Sequence, residues 1–121
     1  MRQIVVVFLT FFLLGCGQKP VSYRGQIQTI LNNRCVSCHG LEKPRGKVDL
    51  TSYESLMKAR AFSGKEFLVV PGSPGQSKLY ILCATSQAHF RMPPDTSTIT
   101  PLPANELEVL GKWITQGAKN D

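Results

Sequence analysis

Apolar side chains recur at helical spacing in the segment from residue 22 to residue 34. They lie at Ile27, Ile30 and Leu31, with polar residues between them. This spacing predicts a first helix from residue 22 to about residue 34.

A second apolar stripe lies near the end of the chain. It is formed by Leu107, Leu110, Trp113 and Ile114. Pro101 and Pro103 precede the stripe and Gly117 follows it, so the pattern predicts a terminal helix that ends at this glycine. We expect Trp113 to lie in the core, where its indole N–H needs a polar partner.

Capping signals predict two shorter helices between these ends. Thr51 and Glu54 fit a capping box, and a helix to about residue 59 should follow. Ser73, with Pro74 next and Gln76 three residues after the cap, marks another helix start. That helix would carry Leu79, Tyr80, Leu82 and Cys83 towards the core. The pattern leaves residues 60–70 open between extended and helical structure.

The N-terminus carries one basic residue, Arg2, and then apolar runs at residues 4–9 and 11–14. It is too short for a stable membrane span and is typical of a signal peptide. Its end, Leu-Leu-Gly-Cys, resembles the lipobox of bacterial lipoproteins. On that resemblance, residues 1–15 are removed and Cys16 is lipidated, which holds the protein at a membrane. The alternative is ordinary secretory cleavage that leaves Cys16 as a free thiol.

The mature chain would then consist of a lipidated tether at residues 16–22 and one domain at residues 23–121. Gly17 gives no inner-membrane retention signal of the kind that aspartate gives at this position. We therefore expect the protein in the cell envelope, facing the periplasm or the exterior. The outer membrane is favoured if the source is Gram-negative.

Cys35, Cys38 and His39 form a CxxCH motif, which is typical of covalent haem attachment. Two thiols on one helical turn can each add to a haem vinyl group, and the histidine that follows binds the iron. The alternatives are half of a zinc site, a redox dithiol and a disulfide without metal. The spacing of Cys83 and His89 fits no common zinc pattern, and no strand and helix alternation surrounds the motif. We predict one covalently bound haem c.

The second iron ligand is expected between His89 and Pro94. Met92 offers a thioether, the usual ligand in electron-transfer cytochromes, and the two prolines after it restrict its backbone. His89 is the competitor, because bis-histidine ligation is also common. Met57 lies inside a predicted helix and is assigned to packing. The sequence favours His39 and Met92 as the axial pair.

Cys83 is left over once the other cysteines have been assigned. It lies in an apolar helical stretch, where a free thiol behaves as a small hydrophobic side chain. We therefore expect it to be buried and inert, and not to form an intermolecular disulfide.

The loop after the haem motif is basic, with Lys43, Arg45 and Lys47. It could dock an acidic partner near the haem edge, or it could be an ordinary solvated loop. The net charge of the precursor is +6, without a run of basic residues interleaved with aromatics. Nucleic acid is therefore not an expected partner.

Four motifs resemble the planctomycete-type cytochrome c domain. They are CVSCHG at residues 35–40, VPGSP with SKLY at residues 70–80, MPP at residues 92–94 and WITQGA at residues 113–118. The resemblance covers nearly the whole mature chain. It implies an all-α fold, small and class I cytochrome c-like, around one haem with His39 and Met92 as axial ligands. Pro103 departs from the Thr or Ser that often caps the terminal helix in this family.

The combined interpretation is a membrane-tethered, monomeric, monohaem c-type cytochrome that passes single electrons to and from redox partner proteins. We expect an electron carrier and not an enzyme, because a six-coordinate iron has no open site for oxygen or peroxide. The alternatives are a peroxidase-like protein from which Met92 dissociates, and a haem module that senses a gas. The sequence does not identify the electron donor or acceptor.

Overall fold

A computed structural model describes residues 17–42, 44–62 and 64–121. The predictions for residues 1–15, Cys16 and Lys43 concern residues outside these ranges. Within them, no helix has both the length and the apolar character needed to cross a membrane.

Helices form most of the regular structure in the described ranges. The longer ones are α1 (Gln28–Arg34), α2 (Tyr53–Lys58), α3 (Lys78–Ala84) and α4 (Ala104–Thr115). Two single 3₁₀ turns, Arg45–Lys47 and Pro74–Gln76, lie in the connections. The helical class predicted from the sequence is therefore correct at this level.

One short antiparallel pair of strands accompanies the helices. Strand β1 (Arg60–Ala61) pairs with β2 (Glu66–Phe67), with Arg60 opposite Phe67 and Ala61 opposite Glu66. This pair answers the question that the sequence left open for residues 60–70, because its paired segments are extended. Gly64 has a φ of +85°, a conformation that glycine adopts at little cost where the chain reverses.

The first helix begins with a wide turn and is tied to the end of the chain. Its first five residues, Tyr23–Ile27, form a π-helical turn that leads directly into α1. Ser22 caps this turn by accepting the Gly25 N–H at 3.0 Å, and the Ser22 hydroxyl donates to the Asp121 carbonyl at 2.9 Å. The predicted helix from residue 22 to residue 34 is confirmed.

The domain also includes the last residues of the predicted tether. Val21 is buried, and its N–H donates to the Gln116 side chain at 2.8 Å. The Gln116 amide donates to the Lys19 carbonyl at 3.3 Å. The segment before the first helix therefore lies against the end of α4 from about residue 19 onwards.

The terminal helix packs on the first helical turn and closes the core. Trp113 is 1% exposed, and its ring contacts Tyr23 and Tyr53 with centroid distances of 5.7 and 6.5 Å. The Trp113 Nε1–H donates to the Lys119 carbonyl at 3.0 Å, so the predicted polar partner of the indole is present. Gly117, with a φ of +103°, ends the helix as predicted.

The capping box predicted at Thr51 is wrong by one residue. Ser52 is the cap of α2 and accepts the Ser55 N–H at 3.0 Å. Thr51 instead donates its hydroxyl to the Asp49 carboxylate at 2.7 Å, and Glu54 is exposed. The Asp49 carboxylate draws the Thr51 hydroxyl away from the helix end, and the next hydroxyl takes the cap position.

The helix start predicted at Ser73 is also misplaced. Ser73 makes no side-chain capping bond, and only a single 3₁₀ turn follows it before α3 begins at Lys78. Ser77 is fully buried there, donates to the Ser73 carbonyl at 2.8 Å and accepts the Val70 N–H at 2.9 Å. Ser77 therefore fixes the turn before α3, a role that sequence analysis did not assign to it.

Candidate haem site

A cavity of about 560 Å³ lies between the CxxCH segment, α3 and the loop that follows Met92. This volume is within the range of about 300 to 1,000 Å³ that is usual for cofactor sites. Most of its wall is apolar, including Val48, Leu50, Leu68, Leu79, Leu82 and Ile99. Cys35, Cys38, His39 and Met92 all line the same space.

The CxxCH segment continues the first helix as hydrogen-bonded turns. The Cys35 N–H donates to the Leu31 carbonyl at 2.8 Å, and the His39 N–H donates to the Cys35 carbonyl at 2.9 Å. This turn places both thiols and the imidazole on one wall of the cavity. The Leu50 N–H then binds the His39 carbonyl at 2.9 Å, which ties the end of the motif to the next loop.

A backbone carbonyl sets the tautomer of His39. The Nδ1 atom of His39 lies 3.0 Å from the Arg45 carbonyl oxygen. A carbonyl can only accept, so this contact places the proton on Nδ1 and leaves the Nε2 lone pair free. Histidines that bind metals usually have such a partner, because it orients the ring and raises its basicity.

The two thiols of the motif are both half-buried. Burial raises the pKa of the Cys35 thiol to about 12. Redox dithiols instead depend on a cysteine of lowered pKa. The environment of Cys35 therefore does not suit the redox dithiol that the sequence left as an alternative. Within the described ranges, no group of three or more His, Cys, Asp or Glu side chains could hold a metal ion.

The structure places the competing ligands differently. Met92 lines the cavity, and its N–H donates to the Leu82 carbonyl at 3.0 Å. His89 is exposed and is not part of the cavity wall. Met57 packs against the core outside the cavity, as expected. The geometry brings His39 and Met92 to one space, while the axial assignment itself stays a prediction.

Only part of the apolar stretch at residues 67–70 lines the cavity. Leu68 lines the cavity, but Phe67 is 49% exposed and lies under the Arg60 guanidinium at 3.4 Å from the ring centroid. Val69 packs in the core and is not part of the cavity wall. The short strand explains this, because alternate side chains of an extended segment point to opposite sides.

Cys83 is buried, as predicted, but it also lines the cavity on α3. Burial raises the pKa of its thiol to about 12. Helical spacing predicted a core-facing Cys83 but could not distinguish a position on the cavity wall from any other core-facing position. A third thiol therefore lies in the space that Cys35 and Cys38 share.

These residues fit a haem. The cavity supplies two thiols for covalent attachment, an imidazole with a free Nε2, a thioether and apolar walls for the porphyrin. Among the residues that the structure describes, the charged ones in the wall are Arg34 and Arg45, and none of the lining residues is a carboxylate. An apolar porphyrin with anionic propionates is compatible with such a lining.

A family model described as Planctomycete cytochrome C matches residues 35–96. The chain belongs to this family. The matched segment begins at the first cysteine of the CxxCH motif and includes His39 and Met92. The family resemblance seen in the sequence is thus confirmed, and membership implies covalently bound haem c. Comparisons with curated proteins and with solved structures gave no match.

We expect Cys83 to resist alkylation in the folded protein. With a pKa of about 12, roughly one thiol in ten thousand is ionised at pH 8, and only the thiolate reacts. Iodoacetamide labelling, read by peptide mapping, should be more than about a hundredfold slower than in denaturant, where a cysteine has a pKa of about 8.5. Equal rates in the two conditions would show that Cys83 is accessible and that its burial is wrong.

Proposed function

We propose that this protein is a monohaem c-type cytochrome that transfers single electrons outside the cytoplasmic membrane. The observation that carries the proposal is the convergence of Cys35, Cys38, His39 and Met92 on one apolar cavity. The family match supports a haem-based electron carrier. When bound, the haem supplies a one-electron couple at its iron.

The chain orients the two proposed iron ligands, and its apolar cavity wall excludes water from the haem. The Arg45 carbonyl holds the Nδ1 proton of His39, so Nε2 is the atom that binds. The Met92 thioether is a soft ligand that favours the reduced state, and its backbone is fixed by the bond to Leu82. The apolar wall keeps water from the cofactor, which limits side reactions.

The partners are proposed to be redox proteins that dock near the cavity. Arg45 and Lys47 are exposed beside His39, and Arg45 also lines the cavity. This local positive charge would favour an acidic surface on the partner. We also propose that the protein acts as a monomer held at a membrane by its lipidated N-terminus.

The first test concerns covalent attachment. Acid-acetone extraction should leave the haem with the protein, because thioether bonds to Cys35 and Cys38 survive it. The double variant Cys35→Ala, Cys38→Ala should release its haem into the organic phase. Cys83→Ala is the matched control, since it removes a thiol from the same cavity and should retain the haem. Release of haem from the unmodified protein would contradict the proposal.

The second test concerns the axial ligand. Ferric haem with a methionine ligand has a weak far-red charge-transfer band, and Met92→Ala should abolish it. The same change should open the iron to carbon monoxide and lower the reduction potential, because the soft thioether is lost.

Two control variants complete this test. Met57→Ala should keep the band while costing about 2 to 5 kcal/mol of unfolding free energy if that side chain is well packed. His89→Ala should also keep the band, since His89 is exposed. If the band is absent from the unmodified protein and His89→Ala opens the iron, bis-histidine ligation replaces this assignment.

The third test concerns the membrane. Cys16→Ser should move the protein into the soluble extracytoplasmic fraction, because several acyl chains on one residue hold a domain firmly to a bilayer. Fractionation followed by immunoblotting measures the change. A correctly cleaved Cys16→Ser product that still sediments with membranes would exclude lipidation as the anchor.

A further inference from the structure

Arg34 joins the end of the first helix to two segments near the end of the chain. It is the last residue of α1, directly before Cys35, and its guanidinium makes a two-pronged ion pair with Glu106 on α4. The Nε to Oε2 distance is 2.9 Å and the Nη2 to Oε1 distance is 3.0 Å. Two parallel hydrogen bonds fix the orientation of the guanidinium as well as its distance from the carboxylate, whereas a single hydrogen bond leaves the orientation free.

The same guanidinium makes a third contact, to Thr100. Nη1 donates to the Thr100 hydroxyl at 2.7 Å. Thr100 ends the segment of residues 92–100, which we name the methionine loop. This loop contains no helix or strand, and its residues 96–99 line the cavity.

The methionine loop is therefore held at both ends. At its start, the Met92 N–H donates to the Leu82 carbonyl on α3. At its end, Thr100 binds Arg34, and the chain continues through buried Leu102 into α4. Between these points, the backbone contacts are within the loop itself, such as the Ser97 N–H to the Pro94 carbonyl at 2.9 Å.

The Arg34–Glu106 ion pair differs from the Lys112–Glu108 pair on α4. Lys112 and Glu108 also form a pair on α4, at 2.6 Å, but they are four residues apart and more exposed. Arg34 and Glu106 are 72 residues apart, with side chains only 21% and 23% exposed. A local pair stabilises one helix turn, whereas this one joins α1, which leads into the thiols, to α4, and orients the guanidinium that also binds Thr100 at the end of the methionine loop.

We propose that Arg34 is a positioning residue, which holds the methionine loop over the cavity so that Met92 stays within reach of the iron. This inference rests on the proposed function, because it takes Met92 as the axial ligand. Without the guanidinium, the loop keeps its anchor at Leu82 but loses the one at Thr100. Met92 then leaves the iron more often, although the fold and the covalent attachment persist.

The test is displacement of Met92 by imidazole in the haem-loaded protein. The far-red methionine band reports ligation, and helical circular dichroism reports the fold. Arg34→Gln should bind imidazole about tenfold more tightly than the unmodified protein, equivalent to about 1.4 kcal/mol. Arg34→Lys should bind imidazole with an affinity between those of the unmodified protein and Arg34→Gln, because a lysine cannot make the two-pronged contact with Glu106.

Lys112→Gln is the matched control, since it removes the cation of a different ion pair on α4. It should leave imidazole affinity unchanged. Thr100→Val removes the hydroxyl that Arg34 binds, so it should also tighten imidazole binding. This variant keeps the test valid if Arg34→Gln folds poorly. If Arg34 only stabilised the fold, Arg34→Gln would lower the free energy of unfolding without tightening imidazole binding.

The two proposals fail in different ways. If the unmodified protein lacks the far-red band, the methionine ligation fails and the positioning role fails with it. If the band is present but Arg34→Gln and Thr100→Val both behave like Lys112→Gln, only the positioning role of Arg34 is overturned.

Discussion

The hydrogen bond between His39 and the Arg45 carbonyl is the contact on which the site depends. It fixes the proton on Nδ1 and leaves the Nε2 lone pair free in a residue that lines the cavity. Two further bonds hold the acceptor in place, because the Arg45 N–H binds the Cys38 carbonyl and the Leu50 N–H binds the His39 carbonyl, each at 2.9 Å. The motif and its loop therefore support each other, and the imidazole has little freedom to turn away.

The rest of the fold keeps this turn at one wall of the cavity. The terminal helix packs Trp113, Leu110 and Ile114 against the first helix, and the Asp121 carbonyl accepts the Arg24 N–H at 3.0 Å. The two ends of the described chain are thus joined. Helix α3 forms another wall, and it approaches α4 closely at Gly111, where a Cβ would lie 2.9 Å from the Tyr80 ring. A small domain of this size has few apolar residues to spare, so a cofactor in its cavity would add to the core.

Sequence patterns that depend on nearby residues gave correct predictions. The first and last helices follow from a spacing of apolar residues that only one side of a helix can satisfy. The burial of Trp113 and its need for a hydrogen-bond partner follow from the chemistry of the indole. The helix caps were less predictable, because several hydroxyls compete within a few residues. Asp49 takes the hydroxyl of Thr51, and Ser77 uses its hydroxyl to bind the turn before α3 instead of the helix end.

The sequence by itself determined the CxxCH motif, the helical class and the family, because these depend on residue identities and on spacings within a few residues. Only the tertiary structure decided that Met92 lines the cavity while His89 lies outside its wall, since both lie on one short segment of the chain. It also decided that Cys83 shares this cavity and that Arg34 meets Glu106. Such contacts join residues far apart in the chain, and the packing of the helices, not a local pattern, brings them together.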